Sequence, residues 1–212
     1  MSLTARPIGI VSVAFRPMPY PEAAVIARDL GFDHIDVNAE WEGELALPIG
    51  DRVSVPKPRP GCSHPAPPEG PGMWDRAVAV YRRTPGVLME PWGGSVCNTI
   101  EKIEAMMQEV PGMRLLVDTG HVAGWGEDPV ALLPYADHVQ LRQARVGEIE
   151  VHIDDNGDVE FARVFQRLDE LDYEGLCSVE YFDLPDRGWA LEDPVGWSTD
   201  LMRHCKGLFA TA

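Results

Sequence analysis

Four short apolar runs in the second half of the chain each end on a residue with a side-chain oxygen: Val87-Leu88-Met89-Glu90, Leu115-Leu116-Val117-Asp118, His138-Val139-Gln140 and Ser178-Val179-Glu180. An apolar run cut off in this way reads as a buried parallel strand whose C-terminal end opens on a polar cavity. Helical patterns separate the runs, so their ends are expected together at one end of a single sheet. Three carboxylates and an amide gathered there repel one another unless a cation sits among them. The pattern therefore predicts a divalent-metal site at the mouth of a β/α barrel.

The elements that must position these residues follow in order. Residues 7–15 read as a strand, 20–30 as a helix with Pro21 in its first turn and Gly31 at its C-terminal cap, and His34-Ile35-Asp36-Val37 as a second strand. That β-α-β order is what a parallel sheet requires. Residues 45–48 and 52–56 read as two short strands with no convincing helix between them, and the Pro- and Gly-rich stretch 56–72 as an extended loop. A helix is expected over 74–83, with Ala77, Val78 and Tyr81 inward. Asn98-Thr99-Ile100-Glu101 has capping-box spacing ahead of the stripe Ile100, Ile103, Met107 and Val110. A short helix should start at Asp128-Pro129, a polar excursion occupies 145–158, and Phe161, Val164, Phe165, Leu168 and Leu171 form an amphipathic face. A terminal helix carries Trp197, Leu201 and Leu208. The expectation is one domain over residues 1–212, a (β/α)8 TIM barrel that is shortened and irregular in its N-terminal half, with one or more outer helices missing.

Composition limits the partners. The 212 residues carry 34 acids against 18 bases, a net charge of −16, which argues against a nucleic-acid partner because phosphates are held by clustered Lys and Arg. No apolar stretch approaches membrane-spanning length, and the start, Met1 to Arg6, lacks a signal-peptide core, so no membrane partner and a cytoplasmic location are expected. Cys62, Cys97, Cys177 and Cys205 show no C-x-x-C or zinc-finger spacing and read as reduced thiols, Cys177 in a core strand and Cys205 on the buried face of the last helix.

Val117-Asp118-Thr119-Gly120-His121, Asp137-His138-Val139-Gln140-Leu141-Arg142, Gly157-Asp158-Val159-Glu160-Phe161 and the segment from Tyr173 to Glu180 resemble, in order and spacing, the xylose-isomerase-like TIM barrels of the sugar phosphate isomerase/epimerase superfamily. The resemblance is good over residues 87–182 and holds only in outline before them. It implies four metal ligands, Glu90, Asp118, Gln140 and Glu180, with Mn²⁺ or Mg²⁺ as the ion and Zn²⁺ or Co²⁺ as alternatives. Gln140 departs from the family's usual His, and an amide oxygen is a weaker first-row metal ligand than imidazole nitrogen. His138, two residues earlier, is expected to point away from the site.

The chemistry implied is removal of the acidic proton beside a sugar carbonyl, with Glu90 and Glu180 as catalytic carboxylates on opposite sides of an enediolate. His121 would hydrogen-bond a substrate oxygen, Arg142 would hold an anionic group or steady the enediolate, and Trp92, like Trp41 and Trp125, follows a strand end where it could stack on a sugar. The bland rivals are rim salt bridges for Glu90 and Glu180, a helix cap for Asp118, a plain hydrogen-bonding role for Gln140 and a buried ion pair for Arg142. His64 and His152 carry no signal. The leading expectation is a metal-dependent isomerase or epimerase of a small sugar-like carbonyl compound, with a homo-oligomer compatible. The alternatives are a lyase of inosose or dehydroshikimate type, and a non-catalytic binding or partner subunit with a degenerate metal site.

Overall fold

The computed structural model describes residues 3–37, 63–185 and 188–210. Seven strands form one parallel sheet: β1 (Ile8–Val11), β2 (Ile35–Asp36), β3 (Ser63–Pro65), β4 (Leu88–Glu90), β5 (Arg114–Asp118), β6 (Ala136–Leu141) and β7 (Leu176–Val179). Their order in space is β2-β1-β7-β6-β5-β4-β3. The first and last strands are therefore neighbours, with Ile8 beside Cys177 and Ile10 beside Val179, and the sheet curls as a shortened β/α barrel. Among the described residues its ends are β2 and β3. The expected strands at 45–48 and 52–56, together with Trp41 and Cys62, fall in the interval between them, outside the described residues.

The helices α1 (Tyr20–Leu30), α2 (Met73–Arg83), α3 (Ile100–Glu109), α4 (Thr119–Gly124), α5 (Phe161–Glu170) and α6 (Pro194–Ala210) alternate with these strands. Gly31 ends α1 in the left-handed region, φ 96°, where a side chain would be strained, and its N–H returns to the carbonyls of Ala27 and Arg28. Thr99 caps α3 by accepting from the Lys102 N–H, and Ile103 and Met106 are the buried positions. The capping box placed one residue earlier is thus corrected, while Ile100 and Met107 pack half-buried against the core beside Ile103 and Val110, with Met106 joining them. The short helix after Asp128 is a 3-10 helix, Pro129–Tyr135, with Pro134 inside it. A tighter turn absorbs a residue that cannot donate to an α-helical ladder.

The loop expected over 56–72 also needs correction, because Ser63–Pro65 pairs with β4, Ser63 beside Leu88 and Pro65 beside Glu90. One hydrophobic core joins the inner faces of all these elements, from Ile8 and Ile10 through Met89, Leu115, Val139 and Phe165 to Leu201 and Cys205. Cys97, Cys177 and Cys205 are buried free thiols. Among the described residues no helix is long and apolar enough to cross a membrane.

Candidate functional site

Register brings the strand ends together. Asp118 on β5 stands beside Gln140 on β6, and Gln140 beside Ser178 on β7, two residues before Glu180. Above these ends lies a cavity of about 990 Å³ walled by Glu90, Gln140, Glu180 and His121 on the polar side, and by Trp92, Phe182 and Trp189 on the aromatic side. That volume lies at the upper end of the range for small-molecule sites. Glu90, Glu180, His121 and Trp92 therefore share one space. Trp92 is fixed there because its Nε1–H donates to the Ala66 carbonyl at 2.7 Å. Trp125 is not part of the wall and donates instead to Glu127 at 2.5 Å.

Asp118 and Arg142 do not reach the wall. Both side chains are wholly buried, and the Arg142 guanidinium hydrogen-bonds Asp118 Oδ2 through Nη2. The same Nη2 lies 3.5 Å from Glu180 Oε2, and Nη1 lies 3.8 Å from Glu150 Oε1. The guanidinium stacks 4.7 Å from the Phe182 ring, whose side chain stands in the cavity wall. The expectation that Arg142 meets an anionic substrate is corrected: its charge is turned inward, onto the carboxylates of the floor. Asp118 Oδ1 accepts from the N–H groups of Gly120 and His121, capping α4. Both oxygens of Asp118 are thus engaged, one in holding a helix start and one in an ion pair. Glu90, Asp118 and Glu180 lie close enough to act on one another's charge, but among the described residues no three Asp, Glu, His or Cys side chains form a ready ligand set.

The donor chemistry nevertheless suits a hard cation. Glu90, Gln140, Glu180 and Asp118 offer oxygen only, the set preferred by Mg²⁺ and Mn²⁺ over Zn²⁺ or Co²⁺. Gln140 donates its amide N–H to Glu180 Oε1 at 3.2 Å, leaving its own buried Oε1 without a hydrogen-bond partner. An orphaned buried carbonyl oxygen is costly unless something positive meets it.

Electrostatics separates the acids. Burial, with repulsion from Asp118, raises the Glu90 carboxyl to about 7 against the pull of Arg142. Burial, with repulsion from Asp118 and Glu90, pushes Glu180 well above the usual carboxylate range. Burial acts upward on Asp118 too, but Arg142 and His121 outweigh it and hold that carboxyl below its ordinary value. Burial beside Arg142 brings His121 down to about 4, opposed by Asp118, so at neutral pH this ring is an uncharged donor or acceptor.

Three groups escaped sequence reasoning. Glu150, in the polar excursion after β6, is a nearly buried carboxyl whose Oε1 accepts from the Phe182 N–H at 3.0 Å. No strand-end pattern marks it. His138 faces the cavity together with Gln140 rather than away from it, because residues two apart on a strand share a face. Its Nε2 lies 2.6 Å from Asp36 Oδ2, and His34 Nε2 lies 3.0 Å from Ser178 Oγ and 3.8 Å from Asp36 Oδ1. Burial raises Asp36, and the two histidines with Ser178 more than reverse that shift. His64 also lines the cavity. Its strand, β3, is too short and too rich in proline to announce itself in the sequence.

Comparison with known proteins agrees with this architecture. The family model described as xylose isomerase-like TIM barrel matches residues 74–205. Inosose dehydratase of Geobacillus kaustophilus is 33% identical over 110 residues, covering 41% of this chain and 36% of that protein. Inosose dehydratase of Clostridium beijerinckii is 31% identical over 135 residues, covering 54% and 44%. The chain thus spans less than half the length of these relatives. Among solved structures, an L-ribulose 3-epimerase superposes with TM-score 0.72 at 15% identity, covering 98% of this chain and 95% of that one. A xylose isomerase-like TIM barrel protein from Mycobacterium smegmatis, in complex with magnesium, gives 0.70 at 14% identity and 97% coverage of both chains. At such identities the superpositions establish the fold.

Proposed function

We propose, from the premise that this chain belongs to the xylose isomerase-like TIM barrel family, that it removes the proton beside the carbonyl of a small polyhydroxylated compound, as an isomerase or epimerase. The observation that carries this reading is that Glu90 and Glu180 wall one cavity, each with its proton affinity raised above that of an ordinary carboxylate by burial. A carboxyl whose proton affinity is raised toward neutrality can take up a proton in one step and give one back in the next. Glu90 is the base and Glu180 the acid that returns a proton to the enediolate. Uncharged His121 orients a substrate oxygen, and the aromatic wall of Trp92, Phe182 and Trp189 excludes water. Glu90, Gln140 and Glu180, with Asp118 beneath them, would hold Mg²⁺ or Mn²⁺, which polarises a carbonyl when bound.

A second reading is favoured by the sequence relatives, which are inosose dehydratases. Dehydration begins with the same proton abstraction, and Glu180 then protonates the departing hydroxyl instead of carbon. Incubation with ketohexoses and with an inosose in D₂O, followed by proton NMR, tests both. Deuterium beside the carbonyl of recovered or epimerised sugar supports the first reading, and an unsaturated product supports the second. No exchange into any of these compounds, or full exchange by Glu180→Gln, refutes the shared step and favours a non-catalytic binding role.

A further inference from the structure

The charge balance of the floor contains a residue that neither the metal reading nor the proton-transfer reading uses. Glu90, Asp118, Glu150 and Glu180 are four acids around one guanidinium, Arg142, which keeps its charge at any accessible pH. The structure is built to admit that side chain. A Cβ on Gly120 would fall 2.8 Å from Arg142 Cγ and Nε, so any other residue there would meet the arginine stem. Phe182 covers the guanidinium with its ring, and its N–H holds Glu150 in place. The Gln140 amide is tied to Glu180 in the same arrangement.

We propose that Arg142 is a built-in counter-ion that competes with a divalent cation for Asp118 and Glu180. The folded chain then keeps its acidic floor together without metal, and an ion enters only by displacing Nη2 from Asp118 and the Gln140 amide from Glu180. A dication and a guanidinium sharing one carboxylate repel each other strongly in a buried site, so the two occupants are antagonistic. The orphaned Gln140 Oε1 marks where the entering ion would find a ligand already placed. The competition rests on the metal half of the function proposed above, whereas the counter-ion role stands without it.

The test compares the whole chain with Arg142→Met, and with Arg142→Lys should the methionine variant fail to accumulate. Mn²⁺ binding is read by the loss of the free-ion electron paramagnetic resonance signal, and thermal unfolding is followed in EDTA and in excess Mn²⁺. In EDTA the parent is expected to keep its midpoint within about 2 °C of the metal-free buffer value, while Arg142→Met falls by more than about 5 °C and regains stability with Mn²⁺. Mn²⁺ affinity is expected to rise about tenfold or more in Arg142→Met, with Arg142→Lys between. A parent that collapses in EDTA overturns the counter-ion role. Equal Mn²⁺ affinities, or no Mn²⁺ binding by either protein, overturn the competition. Deuterium exchange of the parent measured in excess Mn²⁺ reads the proton-abstraction proposal separately from both.

Discussion

Replacing Glu150 by Gln should flatten the dependence of stability on pH. Its carboxyl sits at about 7 in the folded chain, raised by burial against the pull of Arg142 and of the Phe182 N–H, compared with 4.5 for the free group. Between those two values the folded state holds the extra proton, so this group's stabilising share is complete below about pH 4.5 and is lost as pH climbs through about 7. At about 1.36 kcal/mol per tenfold difference in proton affinity, full ionisation costs the folded state about 3 kcal/mol, of which about 2.5 kcal/mol falls between about pH 5 and about pH 8. The amide of Glu150→Gln would still accept from the Phe182 N–H, 3.0 Å away in the parent, and would not ionise. Urea unfolding of both proteins in EDTA at the two pH values gives a double difference in which the titrations of Glu90 and Glu180 largely cancel. The parent should lose about 2.5 kcal/mol more than Glu150→Gln over that window. Parallel losses, agreeing within about 0.5 kcal/mol, would refute the placement of Glu150 as a buried acid on the Arg142 cluster.

Glu180→Gln should retain its fold and reduce deuterium exchange at the carbon beside the substrate carbonyl by about a hundredfold or more, the scale of a lost general acid or base, as read by NMR at saturating sugar. Gly120→Ala places a methyl group 2.8 Å from the Arg142 stem and should cost about 1–3 kcal/mol in urea unfolding. No loss there would show that the arginine can shift aside. Thr99→Ala removes the acceptor for the Lys102 N–H at the start of α3 and should cost about 1 kcal/mol without changing exchange activity.

Strand ends are legible in the sequence because burial and termination are local: three or four apolar residues followed by a carboxylate leave little choice of element or direction. The same logic locates Glu90, Gln140 and Glu180 on one cavity wall. It is blind to Glu150, which lies in an irregular segment and meets the site only through Phe182 and Arg142. It also misses β3, since three residues containing a proline carry no periodicity, and with β3 it misses His64. For His138 the sequence expectation has the wrong parity, and alternation along β6 puts it on the face of Gln140. Asp118 reads from sequence as either ligand or helix cap. Its two oxygens divide the work, so the cap is present whatever the second oxygen meets.

That division explains why the floor is coherent as it stands. Because Oδ1 is spent on the first N–H groups of α4, Asp118 is fixed by the backbone and cannot turn to follow a wandering cation. Arg142 reaches it from the neighbouring strand, two residues beyond Gln140 and therefore on the same face. Gln140 on β6 and Arg142 just beyond its end are thus linked through Glu180: the Gln140 amide binds one of its oxygens and the Arg142 guanidinium stands near the other. An imidazole at 140 would bring either a second cation or a ligand nitrogen to this floor, whereas an amide adds one donor and no charge. The departure at Gln140 and the inward turn of Arg142 are in this sense one adjustment. It sets an amide donor and a fixed positive charge against the burial that raises Glu180, while Glu90 and Glu180 both keep a place on the cavity wall.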